Sequence, residues 1–152
     1  MAAIGRSNED ERDETSLSEV EALKGGVLVE WIEHRQIVVY RTPDSSRTAV
    51  QTLFDRAEEI VLGWPADRPY LAILDFSADR IGATPYARTR GQGTLALRPE
   101  LKICMVMLTA RSVQAQVMQV IARTKQRADK LLAVHFSQEE AVAWLKKVGG
   151  IG

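Results

Sequence analysis

Cysteine is almost absent from this chain: Cys104 is the only one in 152 residues. No internal disulfide can form, and a multi-cysteine zinc site is excluded. Histidine is nearly as scarce. His34 and His135 lie far apart, with no His or Cys partner at ligand spacing, so no metal site is expected. Net charge is missing too, because 20 Lys and Arg balance 20 Asp and Glu. Nothing global therefore points to nucleic acid. No apolar run approaches the roughly 18 residues needed to cross a bilayer. The N-terminal MAAIGRSNEDERDETS lacks the apolar core of a secretory signal, and a cytoplasmic location is expected.

The chain does have an ordinary globular composition, 45% hydrophobic and 26% charged, with enough length for one domain and one core. Its charge is unevenly placed. Residues 1–24 carry Glu9, Asp10, Glu11, Asp13, Glu14, Glu19 and Glu21 against Arg6, Arg12 and Lys24. From 80 to 130 the balance reverses, and only Glu100 and Asp129 oppose a series of arginines and lysines. The acidic stretch has no apolar periodicity, so residues 1–24 are expected to be a disordered tail and 25–149 the folded domain.

Within that domain, Gly25-Gly26 breaks the chain before two β-branched runs, Val27–Ile32 and Ile37–Arg41, which read as a hairpin. Asp44 or a neighbouring serine caps a helix whose stripe is Val50, Leu53, Phe54, Ala57, Ile60, Val61 and Trp64. The apolar run 70–76 reads as a central strand. Thr84-Pro85 offers an N-cap followed by proline at the first helical position. The helix it opens is weakened by Gly91 and Gly93, at about 1 kcal/mol each relative to alanine. With Ala87, Gly91 and Leu95 on one face, its backbone is expected to lie close to a sheet.

Residues 103–108 form another fully apolar strand. Val113, Val117, Val120, Ile121, Thr124, Ala128 and Leu131 make the next helical stripe, expected to face the core. Residues 131–136 read as a last strand. Ser137-Gln138-Glu139-Glu140 is a capping box opening a final helix, which Gly149 is expected to stop. The expected fold is α/β: a mixed, mostly parallel five-stranded sheet with four helices, in the order β-β-α-β-α-β-α-β-α.

Chemistry-bearing residues have bland explanations. Cys104 sits inside an apolar strand, where a thiol behaves as a small hydrophobe. Ser77, His135 and Asp75 make a triad only on paper, since no Gly-x-Ser-x-Gly elbow is present. Asp75 interrupts an apolar strand and is expected to accept backbone N–H bonds at the strand end. Gly91-Gln92-Gly93 is too little for a phosphate loop. Trp31, Trp64 and Trp144 read as packing anchors. No catalytic residue and no cofactor is expected.

The order of elements, with ILDFSADRIGATPY and HFSQEEAVAWL, resembles the STAS-like domains. The nearer likeness is to the SpoIIAA-like branch, related to anti-sigma-factor antagonists and grouped with SEC14-type lipid-binding domains. The resemblance implies a non-catalytic regulatory or protein-interaction module, with another protein as partner and room for a homo-oligomer. In the family's signalling version a serine in an Asp-Ser-Ser-Gly turn is phosphorylated. Thr84 falls on the first serine here, Pro85 takes the usual acceptor's place, and the aspartate and glycine are absent. Thr84 is thus the candidate phosphoacceptor, with helix capping as its competing role.

A second reading is a domain binding a small anionic ligand, lipid or nucleotide. Arg80, Arg88, Arg90 and Arg111 follow the carboxyl ends of the strands, near the caps Thr84 and Ser112, and are expected to form an anion-attracting rim. A third is a receiver-like phosphoacceptor built on Asp75 and the strand ending in Thr109. It lacks the paired acids that would hold magnesium, and His135 stands where such a domain needs lysine.

Overall fold

A computed structural model describes residues 19–78, 83–124 and 126–151. The sheet has six strands in sequence order: β1 (Glu19–Ala22), β2 (Leu28–Ile32), β3 (Ile37–Arg41), β4 (Tyr70–Asp75), β5 (Ile103–Leu108) and β6 (Lys130–His135). The helices are α1 (Arg47–Leu62), α2 (Pro85–Ala96), α3 (Val113–Thr124) and α4 (Gln138–Gly149). β1–β2 and β2–β3 pair antiparallel, and β3 to β6 run parallel.

The sheet is mixed and mostly parallel, as expected, but it has one strand more than the expected five. The extra strand, β1, falls inside the stretch read as acidic tail. It forms because the chain reverses through Gly25 and Gly26, both in the left-handed region (φ 76° and 79°). Its glutamates are then taken up by arginines: Glu19 by Arg35, and Glu21 by Arg56 at 3.1 Å. Residues 1–18 of the expected tail lie outside the described residues, while Leu23 packs against the core.

Because β3 to β6 advance in one direction, right-handed crossovers place every connecting helix on the same face. α1, α2 and α3 lie over Val38, Tyr40, Ala72, Leu74, Met105, Met107 and Val134. α4, which follows the last strand, returns across the other face onto Ile37, Val39, Leu71, Ile73, Cys104 and Val106. The apolar stripe of α1 is buried as expected, with Leu53 and Phe54 wholly inside. Each such side chain contributes about 1.5–3 kcal/mol.

Local signals decide the helix ends. Ser46, from the Asp44-or-serine choice, caps α1 through Ala49 N–H (3.2 Å). Thr84 caps α2 and Ser137 caps α4. α4 runs one residue past the expected stop, since Gly149 is still helical and Gly150 takes the left-handed C-cap (φ 68°). Gly149 is needed for another reason: a Cβ there would lie 2.8 Å from Leu71 Cδ1.

The largest departure concerns α3. Its valine-isoleucine stripe was expected to face the core and instead faces outward, with Val113 77%, Val117 53%, Val120 58% and Ile121 46% exposed. The residues against the sheet are the small or flexible Ala115, Met118 and Ala122. The helix also ends at Thr124, so Leu131 belongs to β6 and not to the stripe.

Candidate functional site

At the carboxyl end of β4, Asp75 accepts from Ser77 N–H (2.9 Å) and Ser77 Oγ (2.5 Å), as a carboxylate in an apolar strand requires. It also meets Arg41 Nη1 at 2.7 Å. Arg41, which the sequence reading passed over, is the hub of this end of the sheet. Its Nε and Nη2 reach Glu30 Oε2 (3.2 and 2.9 Å), and Nη2 also donates to Gln138 Oε1 at 2.6 Å. One guanidinium thereby ties β2, β3, β4 and the start of α4. The signal was available, because Arg41 stands opposite Asp75 in the β3–β4 register.

The expected arginine rim does not converge as one cluster among the described residues. Arg80 lies outside them. Arg90 turns toward α1 and bonds Asp55 (2.9 Å), Glu58 (3.1 Å) and Tyr86 (3.0 Å). Burial opposes its charge, but the bonds to Asp55, Tyr86 and Glu58 prevail and raise its pKa. Arg111 stacks over Phe136, 4.5 Å from the ring centre. Ser112 Oγ accepts from Ala115 N–H (3.0 Å) and Thr84 Oγ1 from Ala87 N–H (3.2 Å), so both act as caps.

Arg88 alone opens onto a hollow, its Nη1 lying 3.3 Å from Met118 Sδ. That hollow is a groove of about 530 Å³ between α2 and α3, floored by Met107, Leu132 and Val134 and walled by Leu95, Met118 and Ile121. Lys130 stands at its rim, with Nζ donating to Pro99 O (3.3 Å) and Leu101 O. A neighbouring hollow of about 410 Å³ shares Arg88 and Met118 and adds Thr84, Val113 and Val117. Arg88 has no carboxylate partner among the described residues.

No family model, curated protein or solved structure matches this chain.

α3 and the segment just beyond it are anchored to the sheet edge by two glutamines that nothing in the sequence singled out. Gln119 Nε2 donates to Val134 O (2.8 Å) and Gln126 Nε2 to Leu132 O (3.1 Å). These amides cover carbonyls of β6, an edge strand that otherwise invites further pairing. Beyond them, His135 sits against Trp144, with Glu140 Oε2 3.7 Å from Nδ1 and neither ring nitrogen hydrogen-bonded. Burial holds its pKa below the ordinary value, though Glu140 pulls the other way. Asp75 bonds Ser77 directly, so Ser77, His135 and Asp75 are not strung together as a triad. The Cys104 thiol is pushed up to about 11 by burial, which leaves little thiolate at neutral pH. No group of three or more His, Cys, Asp or Glu suited to a metal occurs among the described residues, and no described helix is long and apolar enough to cross a membrane.

Proposed function

We propose that this chain is a non-catalytic regulatory or protein-interaction module, and that its working surface is the outward face of α3. One observation carries the reading: Val113, Val117, Val120 and Ile121 form a contiguous exposed apolar stripe on a helix whose only charged residue is Arg123. Spacing of i, i+4, i+7 and i+8 places all four on one side of two turns. Contiguous apolar surface of this kind marks interaction sites, whereas scattered single residues do not. The resemblance to SpoIIAA-like STAS domains agrees with a binding role and is itself part of the proposal.

The test is a paired one. Val117→Asp with Val120→Asp should leave the melting temperature close to wild type, because both side chains are already in water. The same variant should lose whatever protein the wild-type chain captures in stoichiometric amount from its native lysate. Identical capture profiles would refute the assignment of this face.

A second reading has its own observation. Arg88, without a carboxylate partner among the described residues, stands at the mouth of an apolar groove, the arrangement that an amphipathic anion would use. Such a ligand at a hundred times its dissociation constant should stabilise the fold by about 2.7 kcal/mol. Thermal shift with a medium-chain fatty acid, repeated on Arg88→Ala, reads this directly. No shift in either protein removes the ligand reading and leaves the protein-interaction reading in place.

A further inference from the structure

We infer that the segment received by α3 is an acidic amphipathic helix of a partner protein. Its apolar side would cover Val113, Val117, Val120 and Ile121, and its carboxylates would meet Arg88, Arg123 and Arg127. This rests on α3 being the docking surface and adds the chemistry of what docks there.

The apolar part follows from dimensions. The stripe spans two helical turns, the length over which an amphipathic helix places anchors at i, i+3 or i+4, and i+7. A small molecule lodged in the groove under α3 would leave Val120 in water, because that residue lines none of the hollows described above. An occupant that covers the whole stripe must therefore lie across the outside of the helix.

The charge follows from the neighbours. Three cations on this side of the domain already have a carboxylate: Arg90 has Asp55 and Glu58, Arg98 has Glu100 at 2.7 Å, and Lys130 has Asp129 at 3.6 Å. Arg88, Arg123 and Arg127 have none among the described residues. Arg88 borders the stripe beside Val113 and Val117, while Arg123 and Arg127 stand toward the C-terminal end of α3. Arg88 lies toward α2 beside Met118. Arg123 lies toward the β6 edge beside Gln119, and Arg127 beyond the end of α3 with Leu95 and Asp129. An apolar centre with an uncompensated cationic rim selects a partner with an apolar centre and an anionic rim. A second copy of this chain fits worse, since a two-fold contact would set the three arginines of each copy against the same three.

The decisive measurement is fluorescence anisotropy with two labelled model peptides of about 14 residues, sharing leucines at i, i+3, i+4 and i+7. One carries glutamate at the remaining positions and the other lysine. The acidic peptide should bind at least about tenfold tighter, and its affinity should fall as salt shortens the screening length. Arg88→Glu with Arg127→Glu should abolish or invert the preference, and Val117→Asp with Val120→Asp should abolish binding of both peptides. Equal binding of the two peptides, both lost in the valine variant, would overturn the acidic assignment while leaving α3 as the docking surface. Binding that survives the valine variant would overturn both. No binding of either peptide, or a wild-type dimer in sedimentation that the valine variant dissociates, would also overturn the inference.

Discussion

Replacing His34 with glycine should stabilise this fold, although it removes a whole side chain. The β2–β3 turn holds Glu33, His34 and Arg35 in succession at φ 52°, 55° and 64°. For an ordinary L-residue the left-handed conformation costs about 1–2 kcal/mol. Two of the three have compensation. Glu33 pairs with Lys146 Nζ at 2.9 Å, and Arg35 pairs with Glu19 while lying 4.7 Å from the centre of the Trp31 ring. His34 is exposed and has no recorded partner among the described residues. Glycine relieves the strain but adds freedom to the unfolded chain, about 0.5–1 kcal/mol in the opposite direction. The balance is a gain of about 0.5–1 kcal/mol, or about 2–4 °C in melting temperature. Arg35→Gly relieves the same strain and also loses a cation–π contact of about 0.5–1 kcal/mol and an exposed ion pair of about 0.2–1. It should come out near zero or destabilising. Reversible urea unfolding of both variants measures the difference, and a His34→Gly protein no more stable than Arg35→Gly would refute the reasoning.

Two glycines make an opposed pair. Nothing lies within 4 Å of a Cβ at Gly93, so Gly93→Ala should stabilise by about 1 kcal/mol, whereas Gly149→Ala drives a methyl into Leu71 and should cost about 1–3, both read by urea unfolding. Thr84→Ala should cost about 1 kcal/mol and Thr84→Ser almost nothing, since the hydroxyl already accepts Ala87 N–H; a Thr84→Ala protein as stable as wild type would show the cap to be idle. For His135 the folded pKa lies below the unfolded value of about 6.5, so the folded state binds fewer protons. Its contribution to stability is full above about pH 6.5 and is lost as the pH falls toward the folded value. Melting curves of wild type and His135→Gln between neutral and mildly acidic pH should therefore diverge, the wild type falling faster.

Most of the fold was legible because it is written in simple periods. β4 and β5 are apolar at almost every position, as strands covered on both faces must be, and α1 carries an unbroken stripe. The caps Thr84 and Ser137 were equally plain. β1 was not, because Glu-Val-Glu-Ala alternates over only four residues and leaves Val20 exposed; it is held by Arg35, Arg56 and the reversal at Gly25-Gly26. Arg90 looked like a rim residue by its place after β4, and only the packing of α2 on α1 brings Asp55 and Glu58 to it. α3 misled for a deeper reason. Periodicity marks which side of a helix is apolar, but a helix with small residues on one side and valines on the other has two apolar sides, and sequence alone does not say which one meets the sheet.

Energies sharpen that point. Turning α3 about its axis to bury the valines would forfeit the Gln119 bond to β6, about 1 kcal/mol, and lift Ala115, Met118 and Ala122 off the sheet. Burying the exposed part of three valines and an isoleucine, 46–77% of each, would return about 1–2 kcal/mol apiece. Space is no obstacle, since a groove of about 530 Å³ already lies beside the helix. For the chain alone, the gain and the loss are of similar size, and the stripe stays outward. Under the proposed docking, the outward stripe gains that burial while the glutamine bonds are kept. The order of the parallel strands never reverses, so they have no topological switch point, and Arg41 laces β2, β3 and β4 together at their carboxyl end. The proposed docking surface thus falls on the outside of α3, whose apolar stripe is the most exposed in the domain among the described residues.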